Sequence, residues 1–286
     1  IQILGGKIKG LAEGEAGFLL AQEVQKDTRD FLEKKLKIKF DNWVSEEADI
    51  YKKNKIKKLL AWLKKNNLVY EKDGATWMKT SKLGDTEDRV LIKKNGNETY
   101  FLSDILYHWD KFNVRKFDKV IDIWGADHHG YAPRLVGALI ALGIDKERLD
   151  IIATQLVRLI KGGKEFKISK RAGTFVTIEE LVDDVGLGAA RYFFLSLSPN
   201  TQLDFNIDLA KERSEKNPVY YIQYAHARLS SILRKAQITK PKLQTKPKAQ
   251  ITNHKFIEPE LDLMRKLVEL PELLASIAES YEVHRL

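Results

Sequence analysis

Two rhythms of apolar and polar positions alternate along this chain, and the places where one yields to the other mark its elements. Leu20, Val24, Thr28, Phe31, Leu32 and Leu36 recur at the spacing of one helix face, whereas residues 1 to about 20 are Gly-rich and too weakly patterned to assign. Ile38 to Val44 alternates instead, which predicts a strand leading into Ser45-Glu46-Glu47. Tyr51 to Asn66 reads as a lysine-rich helix with Ile56, Leu59, Leu60 and Leu63 as its buried stripe. Leu68 to Met78 reads as a hairpin turned by Asp73-Gly74, and Lys94-Asn95-Gly96-Asn97 turns Val90-Leu91-Ile92 back into Glu98–Leu102. Such hairpins suit an insertion rather than a parallel sheet.

Tyr100 to Asp104 is expected to end a strand and open a helix over Ile105–Phe112, with Ser103 as N-cap and Asp104 in the first turn, where a carboxylate suits the helix dipole. The β-branched run Val120-Ile121-Asp122-Ile123 passes into Trp124-Gly125-Ala126-Asp127-His128-His129-Gly130, and a helix follows from about Pro133 to Leu142, closed by Gly143. Strand, polar loop and helix in that order place the polar residues at a strand's C-terminal end, where open α/β sheets bind ligands. There Asp127 is suited either to accept from ribose hydroxyls or to cap the helix. His128 and His129 are suited to pack on, or bond, a base or substrate.

Beyond the apolar run Ile151–Ile160, Gly162-Gly163 makes a tight reversal, Glu165–Ile168 returns, and Ser169-Lys170-Arg171 is left on a loop closed by Gly173. Cations and a hydroxyl on a Gly-flanked loop suit a phosphate chain, although a solvated surface hairpin has the same composition. Thr177 with Glu180 forms a capping box for a helix to Val185, and Gly188–Leu197 reads as a buried helix whose Arg191 is suited to contact a ligand or, the preferred reading, to pair with a carboxylate. Pro199–Gln202 breaks the pattern, so a domain boundary is placed between there and Asp208, giving domains 1–205 and 206–286. Leu209–Ala236 is expected to be a long helix interrupted at Asn217-Pro218, residues 237–255 a lysine- and proline-rich linker, and Glu260–Leu286 two helical stretches separated at Pro271.

Composition narrows the function classes. A formal charge of +9 over 286 residues, with a pI near 9.3, favours an acidic partner such as RNA. The absence of cysteine excludes disulfides and Cys-bearing zinc sites, and six scattered histidines form no metal-ligand spacing. No apolar run is long enough to span a membrane, and no signal peptide is evident, so a soluble protein of the cytoplasm is expected.

Gly125-Ala126-Asp127-His128-His129-Gly130 followed by Lys167-Ile168-Ser169-Lys170-Arg171 resembles a class I aminoacyl-tRNA synthetase, the second stretch being close to that family's KMSKS loop. Asn217-Pro218-Val219-Tyr220-Tyr221-Ile222-Gln223-Tyr224-Ala225-His226-Ala227-Arg228 resembles the start of the helical anticodon-binding domain of bacterial arginyl-tRNA synthetases. The resemblance runs over nearly the whole chain. It implies an α/β fold: the second half of a Rossmann-like class I catalytic domain with a hairpin insertion, followed by part of an all-α anticodon-binding bundle.

The resemblance also implies roles. Glu46, in a stretch similar to the family's FDxWxSE, and Tyr100 and Asp104, in a Y-x-x-x-D segment, would hold arginine together with His128. Other members have glutamine at that last position, which leaves the role of His128 open. Gly125, Asp127, His128 and His129, with Lys167 and Lys170, would bind ATP, and Lys167, Ser169 and Lys170 would serve catalysis by neutralising charge that develops on the phosphates. Implied partners are tRNA(Arg), arginine and ATP with Mg2+, with no resident metal or tightly bound cofactor, in a monomer. The family's HIGH motif has no counterpart, so the chain is expected to be a fragment that alone binds ATP poorly and charges no tRNA. Two other classes fit parts of the pattern: a non-catalytic RNA-binding protein derived from a synthetase, and a nucleotidyl transferase with a small acceptor.

Overall fold

The computed structural model describes residues 8–51, 54–166, 177–235 and 255–286. They fall into two compact units, one of residues 40–156 with 199–201, the other of residues 1–39, 157–198 and 202–286.

Helix α1 (Glu13–Lys34) belongs to the second unit and starts earlier than the Leu20–Leu36 stripe suggested. It closes through Lys37, whose φ of 57° is left-handed, with the Ile38 amide donating back to the Leu32 carbonyl at 2.8 Å. The expected strand over Ile38–Val44 is not formed. Residues 37–45 are irregular, because the alternation meets no partner strand and a strand without a ladder leaves its backbone groups unpaired.

The unit of residues 40–156 opens with a π-helical turn, Glu46–Tyr51, followed by helix α2 (Lys55–Lys65). The helix foreseen from Tyr51 is thus two pieces, with Asn54 left-handed between them (φ 53°), while Ile56, Leu59 and Leu63 are buried as the stripe predicted. Strands β1 (Val69–Lys72), β2 (Ala75–Met78) and β3 (Arg89–Ile92) form an antiparallel sheet. Asp73 and Gly74, at φ 52° and 76°, both take the left-handed conformation that a tight two-residue hairpin needs. After the second turn only a single bridge, Ile92 to Glu98, is made. Helix α3 (Tyr100–Trp109) already includes Tyr100, so the strand expected through Tyr100–Asp104 is absent, and Ser103 lies inside the helix, donating to the Tyr100 carbonyl at 3.0 Å instead of capping it.

Strand β4 (Val120–Gly125), helix α4 (Ala132–Ala141) and strand β5 (Leu149–Thr154) form a βαβ unit, with the strands parallel from Val120 opposite Leu149 to Gly125 opposite Thr154. The core joins Leu63, Met78, Leu91, Leu102, Ile105 and Leu135 from the sheet and three helices. Gly137 lets α4 touch the loop before β3. A β-carbon there would lie 2.3 Å from the Leu83 carbonyl oxygen.

In the other unit, β6 (Val157–Lys161) turns at Gly162 and Gly163, both left-handed, into the short antiparallel β7 (Lys164–Glu165). Helix α5 (Ile178–Val185) starts on the predicted Thr177–Glu180 capping box. Helix α6 (Leu187–Leu195) buries Ala189, Ala190 and Phe193 but leaves Tyr192 and Leu195 exposed, so it is buried on one face rather than throughout. Its Arg191 donates to the Leu36 carbonyl at 3.4 Å, not to the carboxylate expected. Strand β8 (Leu203–Asn206) pairs parallel with β6; its alternation of buried Leu203 and Phe205 with polar residues was hidden by the preceding Pro-Asn break.

The helix foreseen from Leu209 with an interruption at Asn217-Pro218 is two helices, α7 (Ile207–Lys211) and α8 (Pro218–Lys235), the second starting at the expected Pro218. Buried Asn217 makes the joint: its amide donates to the carbonyls of Ala210 and Glu212, its oxygen accepts from the Val219 amide, and Pro218 occupies the first helical turn, where its missing N–H costs nothing. Helix α9 (Glu258–Ser280) runs through Pro271 without a break, so the last two stretches foreseen are one helix and a short 3-10 turn, Val283–Arg285. The core here is built on Phe205, Phe193, Leu159 and Leu181. Residues 237–254 of the expected linker, and the whole loop from Lys167 through Lys170 to Gly173, lie outside the described residues. No helix among the described residues is long and apolar enough to cross a membrane.

Candidate active site

A cleft of about 610 Å³ opens in the unit of residues 40–156, and Glu46, Tyr100, Asp104 and His128 all line it, together with Tyr131. They come from three pieces of local structure. Ser45 starts the π-helical turn by accepting the Ala48 amide on its hydroxyl (3.2 Å), while its own amide donates to Asp49 (3.0 Å), and Glu46 follows at once. Tyr100 and Asp104 are one helical turn apart on α3 and so share a face. His128 and Tyr131 sit on the 3-10 turn (Ala126–Tyr131) that leaves the C-terminal end of β4.

The two carboxylates are treated alike by the fold. Glu46 Oε1 accepts from the Tyr51 hydroxyl at 2.8 Å, and Asp104 Oδ2 accepts from the Tyr131 hydroxyl at 2.5 Å. Among the described residues no other side chain bonds either carboxylate. Tyr131 is fixed in turn by its ring, edge-on to Phe101 (6.1 Å) and tilted against Trp124 (5.7 Å), with the Arg134 guanidinium over it at 5.2 Å.

Behind the cleft lies a buried charge cluster. His108 Nδ1 donates to the Asp104 carbonyl (2.7 Å), and Nε2 lies 2.5 Å from Asp122 Oδ2. Both partners are acceptor oxygens, so each ring nitrogen faces an acceptor. Lys111 donates to the other Asp122 oxygen at 2.8 Å. Burial raises the Asp122 carboxyl, but the hydrogen bond and charge of His108 and those of Lys111 outweigh it and hold it below the ordinary range. Asp104 has the opposite balance: burial pushes it above its ordinary value, the negative charges of Glu46 and Asp122 add to that, and the Tyr131 bond and His108 pull it back. Burial, then Asp104, push the Tyr131 phenol up. The result is a cleft with two anchored carboxylates, each with an oxygen left for a ligand. That geometry suits a planar cation with several N–H donors, such as a guanidinium.

The remaining residues singled out from sequence are placed less centrally. Gly125 ends β4 beside the cleft, and a β-carbon there would lie 2.5 Å from Asp127 Oδ1. Asp127 makes no helix-capping bond; its side chain is 81% exposed and lies 3.7 Å from His128 Nε2. His129 is exposed and does not line the cleft. Lys167, Ser169 and Lys170 lie outside the described residues. Sequence reasoning missed Tyr51, Tyr131 and His108. Tyr131 directly follows the Gly125–Gly130 motif, and that adjacency was the only available signal.

Comparison with known proteins bears on this arrangement. Residues 11–193 match the family described as tRNA synthetases class I (R), catalytic domain, and residues 222–286 match the DALR anticodon binding domain. An arginine–tRNA ligase of Syntrophotalea carbinolica is 47% identical over 251 residues, covering 87% of this chain and 44% of that protein. One from Bacillus subtilis is 46% identical over 265 residues, covering 92% and 46%. The chain thus spans about half the length of the curated relatives it matches. A solved Campylobacter jejuni structure described as an arginyl-tRNA synthetase aligns with 96% of this chain and 59% of its own at a TM-score of 0.80 and 35% identity. The Thermus thermophilus arginyl-tRNA synthetase, at 21% identity and a TM-score of 0.71 over 98% of this chain and 56% of its own, shares the fold. With the catalytic-domain match extending over well more than half of its residues, the chain belongs to the class I arginyl-type tRNA synthetase family.

Proposed function

We propose that this chain serves the ATP-dependent ligation of arginine to tRNA(Arg), and that the cleft between Glu46 and Asp104 receives the arginine side chain. The observation that carries the proposal is the pair of anchored carboxylates that line the cleft, each with one oxygen tied by a tyrosine and the other without a side-chain partner among the described residues. Tyr100 and His128 complete the walls, with Gly125, Asp127 and His129 beside them for the nucleotide. Lys167, Ser169 and Lys170 are assigned to the phosphates. ATP enters with Mg2+ as a substrate complex. An arginine carboxylate oxygen attacks the α-phosphorus and pyrophosphate leaves; a ribose hydroxyl of the terminal tRNA adenosine then attacks the activated carbonyl and AMP leaves. Little covalent chemistry is asked of the protein, which aligns the reactants and offsets developing charge.

Residues 1–205 are assigned to the catalytic portion and 206–286 to the anticodon-binding portion, in a cytoplasmic monomer. The family matches to residues 11–193 and 222–286 support that order. A neutral amino acid would leave both carboxylates desolvated without a cation, which is the basis of selection.

The test is arginylation of total tRNA by the gene product that contains this chain, with labelled arginine, ATP and magnesium. Glu46→Gln and Asp104→Asn should each lower kcat/KM for arginine roughly 10- to 100-fold, as expected for loss of a charge-assisted hydrogen bond, with the KM for ATP changing less than about twofold. Equal losses for arginine and ATP would contradict the assignment.

A further inference from the structure

The tie between Tyr131 and Asp104 has a role to play in the cleft beyond simple packing. A guanidinium is a rigid planar fork, so the strength of its bond to a carboxylate depends on the plane of that carboxylate, whereas an ammonium is a compact point charge with no plane to match. An aspartate carboxylate turns readily about its terminal torsion unless something holds it. Here the Tyr131 hydroxyl holds Oδ2 at 2.5 Å, and Phe101, Trp124 and Arg134 hold the Tyr131 ring. Oδ1 has no side-chain partner among the described residues, and Asp104 lines the cleft.

We propose that Tyr131 is a specificity-determining positioning residue: by fixing the plane of Asp104 it favours a guanidinium over an ammonium in the cleft. This rests on the arginine reading of the cleft and deepens it. Tyr131 acts through Asp104 and touches neither the reacting carboxylate of arginine nor the phosphates.

Two consequences separate this role from a merely structural one. First, the effect should be confined to the guanidinium ligand. Second, it should appear in the pH profile. The groups that face Asp104 are Glu46 from the π-helical turn, Asp122 from β4, His108 on its own helix, and Tyr131. Removing the hydroxyl takes away the hydrogen bond that opposes burial and the two neighbouring negative charges, so Asp104 should protonate at higher pH and arginine binding should fail earlier on acidification.

The experiment uses the gene product that contains this chain, with steady-state arginylation in the presence of total tRNA and lysine as a competitive inhibitor. Tyr131→Phe keeps the ring that packs on Phe101 and Trp124, and its melting temperature serves as the folding control. Expected results are an arginine KM raised about tenfold, as for the loss of one ordering hydrogen bond, and an ATP KM and a lysine inhibition constant within about twofold of the parent. The acid limb of kcat/KM for arginine should shift to higher pH. In the double variant with Asp104→Asn, Tyr131→Phe should add nothing further, since its effect passes through Asp104. As a second probe, 3-fluorotyrosine at position 131 keeps the shape but is a stronger donor, and should move the acid limb to lower pH. An unchanged arginine KM and acid limb in Tyr131→Phe, with the parent still selecting arginine, would overturn the role of Tyr131 and leave the arginine reading standing. A parent that does not use arginine at all would overturn both.

Discussion

Asp122 is the counter-charge of Lys111 and the acceptor for His108 in the interior. Its oxygens are met by His108 and Lys111, and its own side chain is 7% exposed. Replacing it by Asn would leave Lys111 buried without its counter-charge, which typically costs roughly 3–5 kcal/mol. Urea unfolding of Asp122→Asn should register a loss of that order; a loss below about 1 kcal/mol would mean that water reaches the cluster. The pH dependence follows from the depressed carboxyl of Asp122. Its contribution to stability is fully present above the ordinary aspartate value and is lost as pH falls through the lower value it has in the fold. The parent should therefore lose stability on acidification over that window, and Asp122→Asn should lack this component. At this scale the sequence was informative mainly through resemblance, although the strand–loop–helix pattern alone singled out His128. Glu46, Tyr100, Asp104 and His128 were named from motifs, and the fold sets all four around one cleft. Tyr51, Tyr131 and His108 were not named, because hydrogen bonds between side chains on different elements have no period that a single sequence displays.

Among the elements, those whose signal is local were legible. The Asp73-Gly74 hairpin, the strand–turn–helix from Val120 to Ala141, the Gly162-Gly163 reversal and the Thr177 capping box follow from turn residues, caps and short runs of one period. Elements that depend on a distant partner were not. Ile38–Val44 has the alternation of a strand but no ladder, while Leu203–Asn206 is a strand only because β6 lies beside it. Pro271 is tolerated inside α9, where a proline costs a hydrogen bond without ending a helix of 23 residues. The contact between α4 and the Leu83 backbone belongs to the same class, since nothing around Gly137 in sequence announces it. Gly137→Ala should force α4 off that backbone and destabilise the protein by roughly 1–3 kcal/mol, the range for overpacking a close contact. A melting temperature equal to the parent's would show that the helix and loop separate freely. Because α4 starts from the turn that carries His128 and Tyr131, the same variant should also weaken arginine binding.

On the scale of the whole molecule, linear and compact divisions differ. The catalytic-domain match over residues 11–193 draws on both compact units, since α1, β6, α5 and α6 fall in the same unit as the C-terminal helices while the cleft lies wholly within residues 40–156. A boundary read from the Pro199–Gln202 break follows the order of family domains along the chain, whereas compactness follows which strands pair. The excess of nine positive charges suits a polyanionic partner for the molecule as a whole, yet the described cleft is lined by carboxylates. That contrast is what a protein needs if it must hold an RNA over its surface and a cationic amino acid inside.

The most direct measurement is calorimetric binding of arginine and of citrulline, its neutral urea analogue, to the gene product that contains this chain. If Glu46 and Asp104 receive a guanidinium, arginine should bind at least about tenfold more tightly, and Asp104→Asn should remove most of the difference. Equal affinity for the two ligands, or a preference for arginine that survives in the combined Glu46→Gln and Asp104→Asn variant, would contradict the assignment of this cleft to the arginine side chain.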